Sequence, residues 1–136
     1  MNNKPPITMS SLDEARLERL LESDADRQLP GVDALLSEME RANVVRPVDM
    51  PPDVVTMNST IRFVDDSNGA EFEYTLVYPA DAGKRDTISV LAPAGSALLG
   101  LSVGQSIAWR VPGGRELDLR VLAVVRQPEA MGEYHR

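Results

Sequence analysis

This sequence of 136 residues is marked first by the residue types it lacks. It contains no cysteine, which excludes disulfides, thiolate catalysis and cysteine metal sites. Its only histidine, His135, stands next to the last residue, where chains usually fray. A Ser-His-Asp triad or a histidine-based metal site needs a rigidly held histidine, and no Gly-Lys-Ser/Thr phosphate-binding motif is present. We therefore expect a protein that is not an enzyme and that holds no metal or other cofactor.

Positive charge is also scarce. The chain has 14 basic and 21 acidic residues, which gives a formal net charge of −7, and both halves of the chain are net negative. A protein that binds nucleic acid through the phosphates usually carries a basic surface. The composition therefore favours a protein partner, and we expect no sequence-specific nucleic-acid binding.

Long apolar runs are absent as well. The most apolar segments, residues 97–101 and 121–125, are far too short to span a bilayer. The first six residues are not followed by the apolar stretch of a signal peptide. We therefore expect a cytoplasmic protein without membrane association, and we predict a monomer.

Helical periodicity dominates the first third of the chain. Ser11 and Glu14 have the spacing of a capping box. Two apolar stripes with helical spacing follow, and Pro30 between them suits the first turn of a second helix. The first stripe is Leu17, Leu20 and Leu21, and the second is Val32, Leu35, Leu36, Met39 and Asn43. The pattern predicts a short antiparallel helical hairpin, or coiled coil, over residues 1–48, with each arm about 18 Å long.

Three acids, Glu22, Asp24 and Asp26, lie at the predicted tip of this hairpin. They are the only carboxylate cluster for which the sequence suggests a role. Such carboxylates could help to coordinate a metal ion held by another protein. The alternative is a solvated turn whose aspartates cap the second helix. The sequence leaves both interpretations open.

The periodicity changes from helix to strand after a connector that contains Pro47, Pro51 and Pro52. Five strands and one short helix are predicted, and Asn68-Gly69 is a strong hairpin turn signal. The strands are residues 60–64, 70–78, 87–91, 105–111 and 116–125, and the helix is residues 94–100. Residues 49–136 should therefore form an α+β domain with an antiparallel sheet. We expect residues 50–136 to fold without the helices.

Three segments of this second region resemble a known family. They are residues 54–59, residues 75–80, and residues 89–104, which continue to Trp109 and a Pro112-Gly113-Gly114 turn. This pattern resembles the Rnk branch of the GreA/GreB transcription elongation factors over nearly the whole chain. The resemblance to GreA and GreB themselves covers about residues 50–125.

The resemblance implies an FKBP-like C-terminal domain that binds RNA polymerase at the rim of its secondary channel, with a coiled coil pointing inward. Gre factors carry acids at the coiled-coil tip that help to bind a catalytic Mg²⁺ and promote RNA cleavage. The predicted hairpin is far shorter than a Gre coiled coil, so its acids cannot reach as deep. The expected function is therefore a polymerase-binding regulator that competes with Gre-type factors without stimulating cleavage.

The stretch that matches the Gre factors also supplies the candidate docking residues. These are Ala92, Pro93, Ser96, Ala97, Leu98 and Gly100. Two other functions remain open. The name of the Rnk family implies regulation of nucleoside diphosphate kinase, either direct or through gene expression. An FKBP-like fold would also be compatible with a peptidyl-prolyl isomerase, although the chain has only six aromatic residues to line such a pocket.

Overall fold

The computed structural model describes residues 7–22, 32–110 and 116–132. Several predictions fall outside these residues. They concern Asp24, Asp26, Pro30, the turn at residues 112–114, and His135.

The N-terminal unit has a strand at each end of its two helices. The elements are β1 (Thr8–Ser10), α1 (Ser11–Glu22), α2 (Val32–Glu40) and β2 (Asn43–Val45). Strands β1 and β2 pair in parallel, with Thr8 opposite Asn43. Neither strand was predicted from the sequence, because three residues are too few to show an alternating pattern. The pairing brings the start of α1 and the end of α2 together.

Helix α1 begins one residue earlier than a capping box at Ser11 and Glu14 requires. The Asp13 N–H donates to the Ser10 hydroxyl over 3.0 Å, which is the contact that an N-cap residue makes with the third helical position. The predicted capping box at Ser11 and Glu14 is therefore wrong by one register position. The shift turns Asp13, rather than Glu14, toward the interior, and Asp13 is buried.

The predicted apolar stripes are correct at most positions, and the second stripe is wrong at Leu36 and Asn43. Leu17 and Leu21 are buried on α1. On α2, Leu35 is buried but Leu36 is 40% exposed. The helix ends before Asn43, which lies exposed in β2.

The second region is a five-stranded sheet with one short helix against it. Its strands are β3 (Thr60–Asp65), β4 (Ala70–Val77), β5 (Thr87–Ser89), β6 (Ser106–Arg110) and β7 (Glu116–Arg126), and its helix is α3 (Pro93–Leu98). The order across the sheet is β5-β4-β3-β7-β6. All neighbours are antiparallel except β4 and β5, which are parallel, so the fully antiparallel sheet predicted from sequence is wrong at this edge. The segment between these two strands, which contains the 3₁₀ turn Pro79–Asp81, reverses the chain so that β5 begins beside Thr75 and runs parallel to the last residues of β4.

One hydrophobic cluster runs through both regions. Leu17 of α1 and Leu35 of α2 belong to the same cluster of buried side chains as Leu98 of α3 and Phe63 of β3. Backbone contacts cross the same boundary, since the Thr8 N–H donates to the Gly100 carbonyl over 3.1 Å. The division into residues 1–48 and 49–136 marks a change of element type, and independent folding of the two parts stays a prediction.

Candidate functional site

An apolar cleft opens beside α3 on one face of the sheet. It has a volume of about 190 Å³, and its floor is formed by side chains of β3, β4 and β7. The lining residues are Phe63, Asp65, Asn68, Phe72, Tyr74, Ile88, Ala94 and Leu119. Pockets for small-molecule ligands are usually larger, roughly 300 to 1,000 Å³. The cleft is therefore better matched to one or two apolar side chains of a partner protein.

Three aromatic rings give this cleft its shape. Phe63 and Phe72 are direct cross-strand partners, and their ring centroids are 5.4 Å apart. Tyr74, two residues further along β4, has its ring centroid 6.1 Å from that of either phenylalanine. Phe63 is buried, whereas Phe72 is 36% exposed. The spacing of Phe72 and Tyr74, which places both side chains on one face of a strand, is the sequence signal that could have indicated this surface.

The turn at the rim of the cleft is held by a buried carboxylate. The backbone N–H and the hydroxyl of Ser67 both donate to Asp65 Oδ1, over 3.0 and 2.6 Å. The Gly69 N–H donates to the Asp65 carbonyl, and Gly69 has a φ of +74°, which suits glycine at this position. The hairpin turn predicted from Asn68-Gly69 is therefore present, and it fixes the edge of the aromatic surface.

Most of the docking residues predicted from sequence are buried. The side chains of Ser96, Ala97 and Leu98 are fully buried, and Gly100 lies against Ile7 and Thr8 of the N-terminal unit. These four residues pack the helix onto the core, and they cannot touch a partner in this structure. Ala92 is half-buried. Pro93 is the first residue of α3, and the side chain of Pro93 is not among those described. Accessible surface on this segment is found at Ala92 and at Ala94, which lines the cleft.

Of the three predicted tip acids, the structure describes Glu22 alone. Glu22 is the last residue of α1 and is exposed. Asp24 and Asp26 lie outside the described residues, so their predicted proximity to Glu22 stays a prediction. Within residues 7–22, 32–110 and 116–132, no three acids, histidines or cysteines are grouped in a way that could hold a metal ion.

A second cluster of polar groups is buried where α1 meets the sheet region. The Met57 N–H donates to Asp13 Oδ2 over 3.1 Å. On the adjacent loop, the Thr56 hydroxyl donates to Glu129 Oε1 over 2.8 Å and lies 2.7 Å from the Ser59 hydroxyl. Since the one hydroxyl hydrogen of Thr56 goes to Glu129, the Ser59 hydroxyl donates to Thr56. The cluster thus links α1, the loop before β3 and the 3₁₀ turn Glu129–Met131.

Burial shifts the titration of two groups in this cluster. Desolvation is the main reason that the pKa of Asp13 rises to about 7, and the nearby Glu129 carboxylate adds to the rise. The Met57 N–H and the Arg16 guanidinium act in the opposite direction. Burial also raises the pKa of Tyr78, again with a contribution from Asp13. No pattern in the sequence indicates this cluster, because its members are scattered from residue 10 to residue 129.

No helix in the described part of the chain combines the length and the apolarity needed to cross a bilayer.

Comparison with known proteins places this architecture in a family. The family described as "Transcription elongation factor, GreA/GreB, C-term" matches residues 50–126, which include the whole main sheet and α3. The family described as "Rnk N-terminus" matches residues 5–45, which include β1, both helices and β2. The chain belongs to the GreA/GreB family of transcription elongation factors, with an N-terminal unit of the Rnk type.

Individual relatives extend the match over nearly the full length. The chain is 48% identical to the "Regulator of nucleoside diphosphate kinase" of Escherichia coli over 133 residues, which are 97% of this chain and 98% of that protein. A solved structure, "Prokaryotic transcription elongation factor GreA/GreB from Nitrosomonas europaea", is 52% identical with a TM-score of 0.70, and the match covers 90% of this chain and 100% of that one. The GreA of a Nitratiruptor species is 33% identical over 109 residues, 76% of this chain and 66% of that protein.

These comparisons confirm the family resemblance read from the sequence. They also support the coarse fold, a mixed arrangement of helices and a curled sheet like that of GreA and GreB. The named relatives are regulators or transcription factors rather than catalysts.

Proposed function

We propose that this protein binds RNA polymerase at the rim of the secondary channel and competes there with Gre-type factors without stimulating transcript cleavage. The observation that carries the proposal is the GreA/GreB C-terminal match, which spans the sheet, α3 and the apolar cleft. Members of this family bind RNA polymerase, and the negative charge of the chain agrees with a protein partner. A polymerase-binding role also implies a cytoplasmic location.

We propose the cleft beside α3 as the docking surface. Exposed, clustered aromatic side chains are frequent at the energetic centre of protein interfaces, because they bury a large area with few rotatable bonds. Phe72 and Tyr74 offer this area, and Ala92 and Ala94 continue it onto the start of α3. The sequence-predicted docking segment then contributes mainly by positioning α3 through its buried residues.

We expect no cleavage activity because the two N-terminal helices are short. Helix α1 has 12 residues and α2 has 9, which correspond to about 18 and 14 Å at 1.5 Å per residue. We propose that the two helices form a short antiparallel hairpin beside an FKBP-like domain. A hairpin of this length cannot carry Glu22 to a catalytic centre deep in a channel.

The proposal is tested by adding the purified protein to paused transcription complexes. We expect no transcript cleavage by the protein alone, and we expect a concentration-dependent loss of the cleavage that GreA stimulates, as for two ligands that exclude each other from one site. Cleavage by the protein alone, abolished by Glu22→Gln, would show that it acts on the catalytic centre. Undiminished GreA activity at saturating protein would place the docking site elsewhere.

The docking surface is tested with a matched pair of variants. Phe72→Ala removes the most exposed ring of the cleft, and we expect it to weaken polymerase binding by about tenfold or more. Val125→Ala removes an apolar side chain that is 54% exposed on the same sheet but does not line the cleft, and its affinity should match that of the wild type. Equal affinities for all three proteins would contradict the cleft as docking surface without contradicting polymerase binding.

A second candidate is regulation of nucleoside diphosphate kinase, which is favoured by the printed name of the E. coli relative at 48% identity. A direct effect predicts that the purified protein changes the rate of the purified kinase in the absence of polymerase. An effect through transcription predicts an unchanged rate and a changed kinase level in cells.

A further inference from the structure

The Asp13 carboxyl group stands at the junction of the N-terminal unit and the sheet region. It is only 2% exposed, although it is on the first turn of a surface helix. Its contact from the sheet region is the Met57 N–H, and its own backbone N–H is held by Ser10. Met57 and Ser10 are themselves buried, so water cannot replace these contacts while α1 is in place.

The charged groups around Asp13 are one cation and one further carboxyl group. Arg16 faces it from the next turn of α1, and Glu129 faces it from the 3₁₀ turn at the end of the chain. Tyr78, which follows β4, lies close enough for its pKa to be shifted by both carboxyl groups and by the Arg16 guanidinium. The cluster therefore combines two carboxyl groups with one cation and one phenol, and Thr56 and Ser59 are its uncharged members.

A buried carboxylate with an acidic neighbour is stable only if its charge is well compensated. Here the compensation comes from the Met57 N–H, the Arg16 guanidinium and the Ser10 hydroxyl, whereas burial, which is the largest effect, and Glu129 act against the charge. The protonated form of Asp13 avoids this conflict and is therefore the form favoured while α1 is docked. When α1 leaves the sheet, Asp13 becomes hydrated and ionises as an ordinary carboxyl group.

We propose that the Asp13 carboxyl group, buried between α1 and the Met57 and Glu129 segments, is a proton-sensitive latch that controls how firmly the N-terminal helical unit is docked on the sheet region. Deprotonation loosens the docked unit and protonation tightens it. The proposal concerns the junction of the two units and goes beyond polymerase binding, so it stands or falls independently of that function.

The direction of the pH dependence follows from the pKa of Asp13 in the docked and in the undocked form. In the docked form the pKa of Asp13 is about 7, and the ordinary pKa of an exposed aspartate is 3.8. The stabilising effect of protonation is fully present below about pH 4, declines as the pH rises, and is lost above about pH 7. With these values the docking equilibrium should weaken on the order of 100-fold between pH 5 and pH 8.

Hydrogen exchange followed by NMR tests the latch in the full chain. We expect the protection factors of the α1 amides, corrected for the intrinsic pH dependence of exchange, to fall about 100-fold from pH 5 to pH 8. The amides of β3 and β7 should change much less. The Asp13 carboxyl carbon should titrate with a midpoint near pH 7.

Two variants separate the latch from a general acid effect. Asp13→Asn keeps the shape and an acceptor oxygen for the Met57 N–H, and it should abolish the pH dependence of α1 protection. Glu18→Gln removes an exposed acid from the same helix and should behave like the wild type. Protection of α1 that does not change with pH, a carboxyl midpoint below pH 5, or an equal fall throughout the sheet would each overturn the proposal. If Asp13→Asn does not fold, the wild-type carboxyl titration and exchange data decide the question alone.

Discussion

The two regions of this molecule are stabilised in different ways. The sheet region is built on long pairings, with strands β3, β4 and β7 of 6, 8 and 11 residues. The N-terminal unit has strands of three residues and two short helices, which are marginal as isolated elements. Its apolar side chains are buried in the cluster that the sheet and α3 provide. We therefore expect the small unit to depend on the large one for its stability, and the small unit covers part of the core of the large one.

The two buried acids of the N-terminal unit differ in where their hydrogen-bond partners lie. Within the N-terminal unit, the fully buried Glu38 is paired with Arg41 at 2.6 Å, so the pair is satisfied locally. Asp13, by contrast, bonds across the junction to Met57. The first contact survives if the units separate, and the second does not.

The most severe test of this comparison is to separate the two regions. A fragment of residues 50–136 lacks the side chains of Ile7, Met9, Leu17 and Leu35, which cover the shared cluster. The sequence predicts that this fragment folds, but the shared core leads us to expect a large loss of stability, with a melting temperature lowered by tens of degrees or no cooperative transition. Circular dichroism on heating measures this directly. A fragment that melts like the full chain would show that the sheet region has a sufficient core of its own.

A smaller effect is expected from single leucines on the two helices. Leu17→Ala empties a fully buried position in the shared cluster and should lower the free energy of unfolding by about 2 to 5 kcal/mol. Leu36→Ala changes a side chain that is 40% exposed and should cost less than about 1 kcal/mol. Denaturant titration of both variants gives the difference. Similar losses for the two would mean that α1 is not packed on the cluster as described.

The smallest of the three effects concerns two glycines with positive φ. A Cβ at Gly100 would stand 2.7 Å from Ile7 Cβ, whereas a Cβ at Gly69 would meet nothing within 4 Å. Backbone strain should destabilise both alanine variants by about 1 kcal/mol, because Gly100 and Gly69 have φ values of +86° and +74°. Gly100→Ala should cost about 2 kcal/mol more than Gly69→Ala, because it forces β1 away from the end of α3. Equal losses of unfolding free energy for the two variants in denaturant titrations would indicate that Ile7 and Thr8 can move away from residue 100 without destabilising the protein.

Local patterns in the sequence predicted the strands of the sheet region closely. The turn at Asn68-Gly69 and the strands β4 and β7 depend on residues that are close together in the chain, and each is found close to where it was predicted. The helical stripes were found for the same reason, since Leu17, Leu21 and Leu35 are spaced by the period of the helix. The errors in these elements are their end residues and the exposed Leu36 in the middle of α2.

The family was also readable from the sequence, because its motifs are long and contiguous, but the burial of the predicted docking residues was not. Ser96 and Leu98 fall in the matching stretch, yet their side chains point into the core, and a motif does not distinguish exposed from buried positions. The cleft required Phe72 of one strand, Ile88 of another and Ala94 of α3 to meet, which the order of residues along the chain does not reveal.

The sequence alone determined the element types, their approximate bounds and the family, because these depend on residues that are near one another in the chain. Only the tertiary structure decided the parallel edge strand β5, the ribbon of β1 and β2, and the burial of Asp13. Each of these depends on contacts between distant segments, such as Asp13 with Met57 and Thr56 with Glu129. Hydrophobic burial is not directional, so a pattern can show that a side chain will be buried without showing which segment will cover it.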